Sequence, residues 1–139
     1  MAKPKLILDY VYDHEAKLAE RVYLTQPVGG DKVIDYTWKQ TLDQSRRMAA
    51  HIKAQGLEPG ARVAILSKNC AHFFMAELAI WMAGCTTVAL FPTETAETIS
   101  YVLEHSTVDW PRNACRHGHR HPVVYLGLHR HAKGCDAQL

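Results

Sequence analysis

The spacing of apolar positions along this chain changes several times, and a turn or capping residue marks each change. Residues 62–67, RVAILS, form a short apolar run of strand length behind the turn Glu58-Pro59-Gly60. The next segment, residues 70–83, is apolar nearly all round: Phe73, Phe74, Met75, Leu78, Ile80, Trp81 and Met82 leave no polar face. That pattern predicts a helix buried on several sides, capped by Asn69 and stopped by Gly84. It is well short of the ~20 residues needed to span a bilayer, and no transmembrane segment is expected. Residues 86–90, TTVAL, read as a second strand closed by Phe91-Pro92. Thr95 then caps a last helix, with Glu97 in its first turn facing the helix dipole. Short apolar strands alternating with helices predict an α/β fold built on a parallel β-α-β-α unit.

The chain before this unit is less regular. Residues 6–12 suit a strand or an irregular arm. Residues 21–26 and 32–37 flank PVGGD, a strong hairpin signal. Gly29-Gly30 is read as a turn pair rather than a phosphate loop, because no helix start follows it. From residue 38 to 55 the helical period returns, with Trp38, Leu42, Ala49 and Ile52 on one face. Thr37 is the expected N-cap and Gly56 stands where a left-handed C-terminal glycine belongs. Arg46, Arg47 and Lys53 fall on its other faces, which reads as solvated surface rather than a binding patch.

Charge divides the chain in two. Residues 1–106 hold 11 Lys and Arg against 12 Asp and Glu, whereas residues 107–139 hold five against two, with five of the nine histidines. The folded part is therefore near neutral, and no nucleic-acid partner is expected. Four cysteines, Cys70, Cys85, Cys115 and Cys135, show no CxxC pair. That spacing suits reduced thiols in a cytoplasmic protein. The start, MAKPKLILDY, lacks the long apolar run of a signal peptide.

Catalytic candidates are few. Ser67-Lys68-Asn69 follows a strand and opens a helix, a place where backbone N–H groups can meet an anion. It has none of the glycines that let a phosphate approach, so it reads as a structural cap. His72 and Glu77 do not make an HExxH site, and His72 reads as a boundary or core histidine. Cys70 and Cys85 read as small buried apolar residues without a local activating base. No catalytic, cofactor-binding or metal residue is assigned in this chain.

The motifs GARVAILSKN (60–69), residues 79–84, FPT (91–93) and LEHS (103–106), together with YTW (36–38), resemble the amino-terminal part of AMP-forming acyl-CoA synthetases. The resemblance covers residues 33–106 well and points to the long-chain fatty-acid branch. It implies an incomplete amino-terminal AMP-binding synthetase domain over 1–106. It also implies a family reaction that uses ATP, magnesium and coenzyme A: adenylation of a carboxylic acid, then thioester formation. The family's adenylating motifs lie downstream of the matched region, so no cofactor is expected for this chain itself and no adenylation by it alone.

Residues 107–139 form a His-rich basic tail expected to be irregular. Cys115, His117, His119, His121, His129, His131 and Cys135 offer metal-ligand chemistry, but not at the paired spacing of structural zinc modules. A different reading explains the tail better. Slid by one base, the codons that residues 123–138 require permit Y-T-S-G-S-T-G-T-P-K-G-V-M-H-N. That string resembles the Ser/Thr/Gly-rich phosphate loop of the same family. A deletion combined with a frame shift accounts for both the motif and its closeness to residue 106. A sheet ending after two strands leaves exposed edges, so self-association through the sheet edge is expected. Two other readings stay open: a small binding protein with a metal-binding tail, and one subunit of a split synthetase.

Overall fold

The computed structural model describes residues 4–106, with two short strand pieces at 130–131 and 134–135. In chain order the elements are α1 (Ile7–Leu18), β1 (Val22–Gly29), β2 (Lys32–Thr37), α2 (Trp38–Ala54), β3 (Arg62–Leu66), α3 (Ala71–Met82), β4 (Thr86–Leu90) and α4 (Ala96–His105). The tail, expected to be irregular, carries at its end an antiparallel pairing of β5 (Arg130–His131) with β6 (Gly134–Cys135).

The amino-terminal arm is the first correction, because residues 6–12 open a helix and not a strand. Their mix of β-branched and aromatic residues suggests extended backbone, but burial decides otherwise. Leu8 and Val11 share one face, and both pack with Leu42 and Leu78. The Asp9 carboxylate accepts the Leu6 N–H at 2.8 Å, which caps the first turn. Arg46 of α2 forms a forked ion pair with Glu15, including Nη1 to Oε1 at 2.8 Å, and so ties α1 to α2. Arg46 is therefore not merely solvated surface, although an exposed pair of this kind contributes only ~0.2–1 kcal/mol.

The hairpin follows the expected pattern. β1 and β2 pair antiparallel from Val22 opposite Thr37 to Gly29 opposite Lys32. Both residues of the turn, Gly30 and Asp31, have positive φ (58° and 57°), the backbone a two-residue turn needs if the strands are to keep their twist. α2 begins at the expected cap: Thr37 Oγ1 accepts the Gln40 N–H, and Gln40 Oε1 accepts the Thr37 N–H in return. The carbonyls of Arg21 and Ala19 take up the N–H groups of Trp38 and Lys39, each at 3.0 Å.

β3 and β4 form a parallel ladder from Arg62 opposite Thr86 to Leu66 opposite Leu90. α3 makes the crossover between them. Its end is a Schellman motif, with Cys85 N–H bonded to Ile80 C=O and Gly84 N–H to Trp81 C=O, each at 3.0 Å. Gly84 sits at φ 78°, where a side chain would strain the backbone. The chain then turns straight into the ladder, because Gly60 N–H bonds the Gly84 carbonyl at 2.7 Å and Thr86 N–H the Ala61 carbonyl at 2.8 Å.

The core lies in two layers about this ladder. On one side Val63 and Ile65 meet Met75, Ala76, Ala79 and Ile80 of α3 and Met48, Ala49 and Ile52 of α2. On the other, Ala64 and Leu90 are covered by Ile99, Val102 and Leu103 of α4. Leu24 and Tyr36 of the hairpin join the first layer. One detail departs from the expected all-round burial of α3: Phe74 remains 45% exposed. Among the described residues, no helix is long and apolar enough to cross a membrane.

Candidate functional site

In an open parallel sheet the chemistry gathers at the carboxyl ends of the strands, where loops leave for the helices. Here those loops are Ser67-Lys68-Asn69 after β3 and Phe91-Pro92-Thr93 after β4. They are joined where Ser67 N–H donates to the Leu90 carbonyl at 3.2 Å. Ser67 is 2% exposed. Its hydroxyl donates to the Lys68 carbonyl at 2.9 Å and lies 3.8 Å from the Cys70 sulfur. The hydroxyl is thus committed to its own loop.

The start of α3 differs from expectation in an informative way. The residue in cap position is Cys70, with extended backbone, and not Asn69. Cys70 makes no side-chain capping bond. The Ala71 N–H is met instead by Gln26 Oε1 of the hairpin, at 2.8 Å across 45 positions of sequence. Gln26 Nε2 donates to the Pro27 carbonyl at 2.8 Å, which orients the amide for this role. The turn whose N–H groups were the candidate anion site therefore has one of them taken by the protein, in keeping with a structural cap.

The remaining candidates are dispersed. His72 is half-buried and lies edge-on to Tyr36, with ring centroids 5.8 Å apart. That agrees with a boundary histidine. Cys70 and Cys85 are free thiols and half-buried, less enclosed than expected. Glu77 of α3 is half-buried, and that burial pushes its carboxyl above the ordinary 4.5. No group of three or more His, Cys, Asp or Glu residues able to hold a metal occurs among the described residues. In the tail, Cys115, His117, His119, His121 and His129 lie outside the described residues, and of His131 and Cys135 only the backbone pairing is described.

A parallel β-α-β-α unit, preceded by a hairpin and an amphipathic helix, makes this an α/β chain. The chain belongs to the AMP-binding enzyme family, whose model matches residues 12–110. It is 32% identical over 72 residues to a peroxisomal acetate/butyrate–CoA ligase of Arabidopsis thaliana, covering 52% of this chain and 13% of that protein. It is 28% identical over 100 residues to long chain acyl-CoA synthetase 2 of the same plant, covering 70% of this chain and 14% of that one. The fold is similar to part of Klebsiella oxytoca NpsA, solved with 3-hydroxyanthranilyl-AMSN: TM-score 0.73, 19% identity, 88% of this chain and 25% of that chain. A fatty acid AMP ligase from Legionella pneumophila matches at TM-score 0.63 and 22% identity, over 72% of this chain and 17% of that chain. The chain thus spans about one seventh of its acyl-CoA synthetase relatives.

Gln26 is the residue that sequence reading missed, because nothing local marks a cap supplied from 45 positions away. Replacing Gln26 by Ala removes the partner of the Ala71 N–H and should lower stability by ~1 kcal/mol, with Gln26→Glu closer to wild type. Chemical denaturation of the three proteins checks the order. Glu77 gives a pH signature of known sign. A carboxyl raised in the folded state favours folding only while it holds its proton, so its cost appears as pH rises past 4.5. Glu77→Gln should therefore raise the melting temperature at pH 7 and leave it unchanged below pH ~4.

Proposed function

We propose that residues 12–110 are the amino-terminal scaffold of an ATP-dependent acid–thiol ligase acting on a fatty acid. The reaction of such a ligase is adenylation of a carboxylic acid, with release of pyrophosphate, followed by transfer of the acyl group to coenzyme A. ATP and magnesium supply the activated phosphoryl chemistry there, and stabilising the developing charge needs a phosphate-cradling loop and the metal. The observation that carries the reading is the family match over residues 12–110 combined with the family's own length. Support for fatty acids comes from the long chain acyl-CoA synthetase relatives. The two free thiols favour a reducing compartment, the cytoplasm.

On this reading the 139-residue polypeptide does not adenylate an acid by itself. Two polar groups near the strand ends are already engaged by the scaffold: Ser67 with its own loop and Gln26 with the start of α3. Residues 107–139 are read as the out-of-frame remnant of a longer ligase, the shifted codons supplying the missing phosphate loop.

Two measurements test this. ATP–pyrophosphate exchange by the purified chain, with acids from acetate to palmitate, should stay at the level of a blank preparation. Exchange above that level overturns the inactivity. The nucleotide sequence across codons 100–139 should spell Y-T-S-G-S-T-G in the shifted frame and stay open beyond it. Codons that do not permit that motif remove the frame-shift reading and return the histidines to metal chemistry.

A further inference from the structure

We propose that α1 is a latch, swinging away from α2 and α3 as a unit while the rest of the described fold stays closed. The Arg46–Glu15 ion pair sets how often it opens. The division of the core permits this. Among the described residues, the layer that joins Val63, Ile65, Met75 and Ile80 to α2 draws nothing from α1, and neither does the layer under α4. α1 enters only the small cluster about Leu42 and Leu78, to which it brings Val11 and Leu8. Of its twelve residues only Val11 is buried, whereas α3, of the same length, buries Ala71, Met75, Ala76, Leu78, Ala79 and Ile80. Lifting α1 therefore breaks one cluster and leaves the other two intact.

The joint at the end of α1 is fastened independently of the helix. Ala19 and Arg21 give their carbonyls to the Lys39 and Trp38 N–H groups, each at 3.0 Å. From residue 19 onward the chain is thus tied to the start of α2, and α1 ends at that same residue. Before the joint the helix is held by Val11 and Leu8 against Leu42 and Leu78, and by the His14 ring over Trp38 with centroids 5.3 Å apart. The fork from Arg46 to Glu15 completes the hold. Leu6, Ile7 and Tyr10 face water.

A segment held by few buried contacts opens at lower free energy than the whole molecule unfolds, and such openings come in contiguous units. α1 is one such unit by the division of the core given above. Its ion pair lies at the surface, where Arg46 is exposed, so the attraction is modest and weakens as salt rises. Opening brings Leu42, fully buried in the closed form, and Leu78 to water. Ionic strength thereby governs how often an apolar strip between α2 and α3 is uncovered. This inference is independent of the ligase reading, since it rests only on the folded chain.

The test is native-state hydrogen exchange of the full 139-residue chain at low urea concentrations. In the wild type, amides 11–18 should exchange through an opening with weak urea dependence, and amides 75–80 only through unfolding with a steep one. Ile52→Val lies in the layer that α1 does not touch, and so weakens the closed and the opened forms alike. It should speed exchange at 75–80 by roughly two- to tenfold and leave 11–18 unchanged. Glu15→Gln should speed exchange at 11–18 by about two- to fivefold at low salt, a difference that vanishes near about 1 M salt. Equal urea dependence in the two segments overturns the proposal. So does an Ile52→Val effect as large at 11–18 as at 75–80, or a Glu15→Gln protein whose amides 11–18 exchange as those of wild type do.

Discussion

Met75 and Ile80 lose all contact with water because α3 is pressed between α2 and β3, and this single contact positions nearly everything else. The small residues Ala71, Ala76 and Ala79 of α3 and Ala49 of α2 leave little side-chain bulk between backbones. Burying a side chain such as Ile80 contributes ~1.5–3 kcal/mol, a large share of the ~5–15 kcal/mol by which a domain is stable. Leu78, on a neighbouring strip of the same helix, receives Val11 of α1 and Leu42 of α2. α1 is thereby placed by α3 as much as by its own sequence.

A helix held this tightly must have its ends satisfied by groups that do not disturb the packing. α3 meets the need at both termini without an exposed cap. Its start borrows Gln26 from the hairpin, and its end closes on itself through Gly84 before Gly60 and Thr86 fasten the exit to β3. α2 follows the same logic, taking carbonyls from Ala19 and Arg21 as well as the Thr37 side chain. The hairpin is therefore more than a preceding ornament. It caps α3, supplies Leu24 and Tyr36 to the core, and fixes where α2 begins.

Much of this was legible in the sequence, and the physical reason is that the relevant signals were local. Thr37 with Gln40, Thr95 with Thr98, Gly56 and Gly84 all act within a few residues of where they stand. The turn at Gly30-Asp31 needs positive φ from its own two residues and nothing from afar. The misreadings share the opposite property. α1 is helical because Val11 finds Leu42 and Leu78, a contact that no window of residues 6–12 contains. Asn69 was the natural cap by residue type, but the cap position fell on Cys70 and the bond came from Gln26. Phe74 looked like core on apolarity alone, yet helix geometry turns it about 100° from Met75 and about 140° from Ala79, and it stays 45% exposed. As for the candidate site, sequence reading placed Ser67 at the end of a strand-length run and in a structural cap, and Ser67 lies just past β3 with its hydroxyl bonded to the Lys68 carbonyl. The tail ligands fell where side chains are not described.

The same division explains how a fold at TM-score 0.73 survives at 19% identity. The determinants seen here are few and of limited kind: a cap, a glycine of positive φ, small residues where α2 meets α3, and apolar residues at strand spacing. Most other positions face water and accept many residue types. Chemistry imposes a different demand, since a reacting centre requires named side chains at fixed distances. Within residues 4–106, Ser67 and Gln26 spend hydrogen bonds on the scaffold itself. The family match over residues 12–110 is carried by scaffold determinants of this kind, and a fold held by them does not by itself specify a reaction.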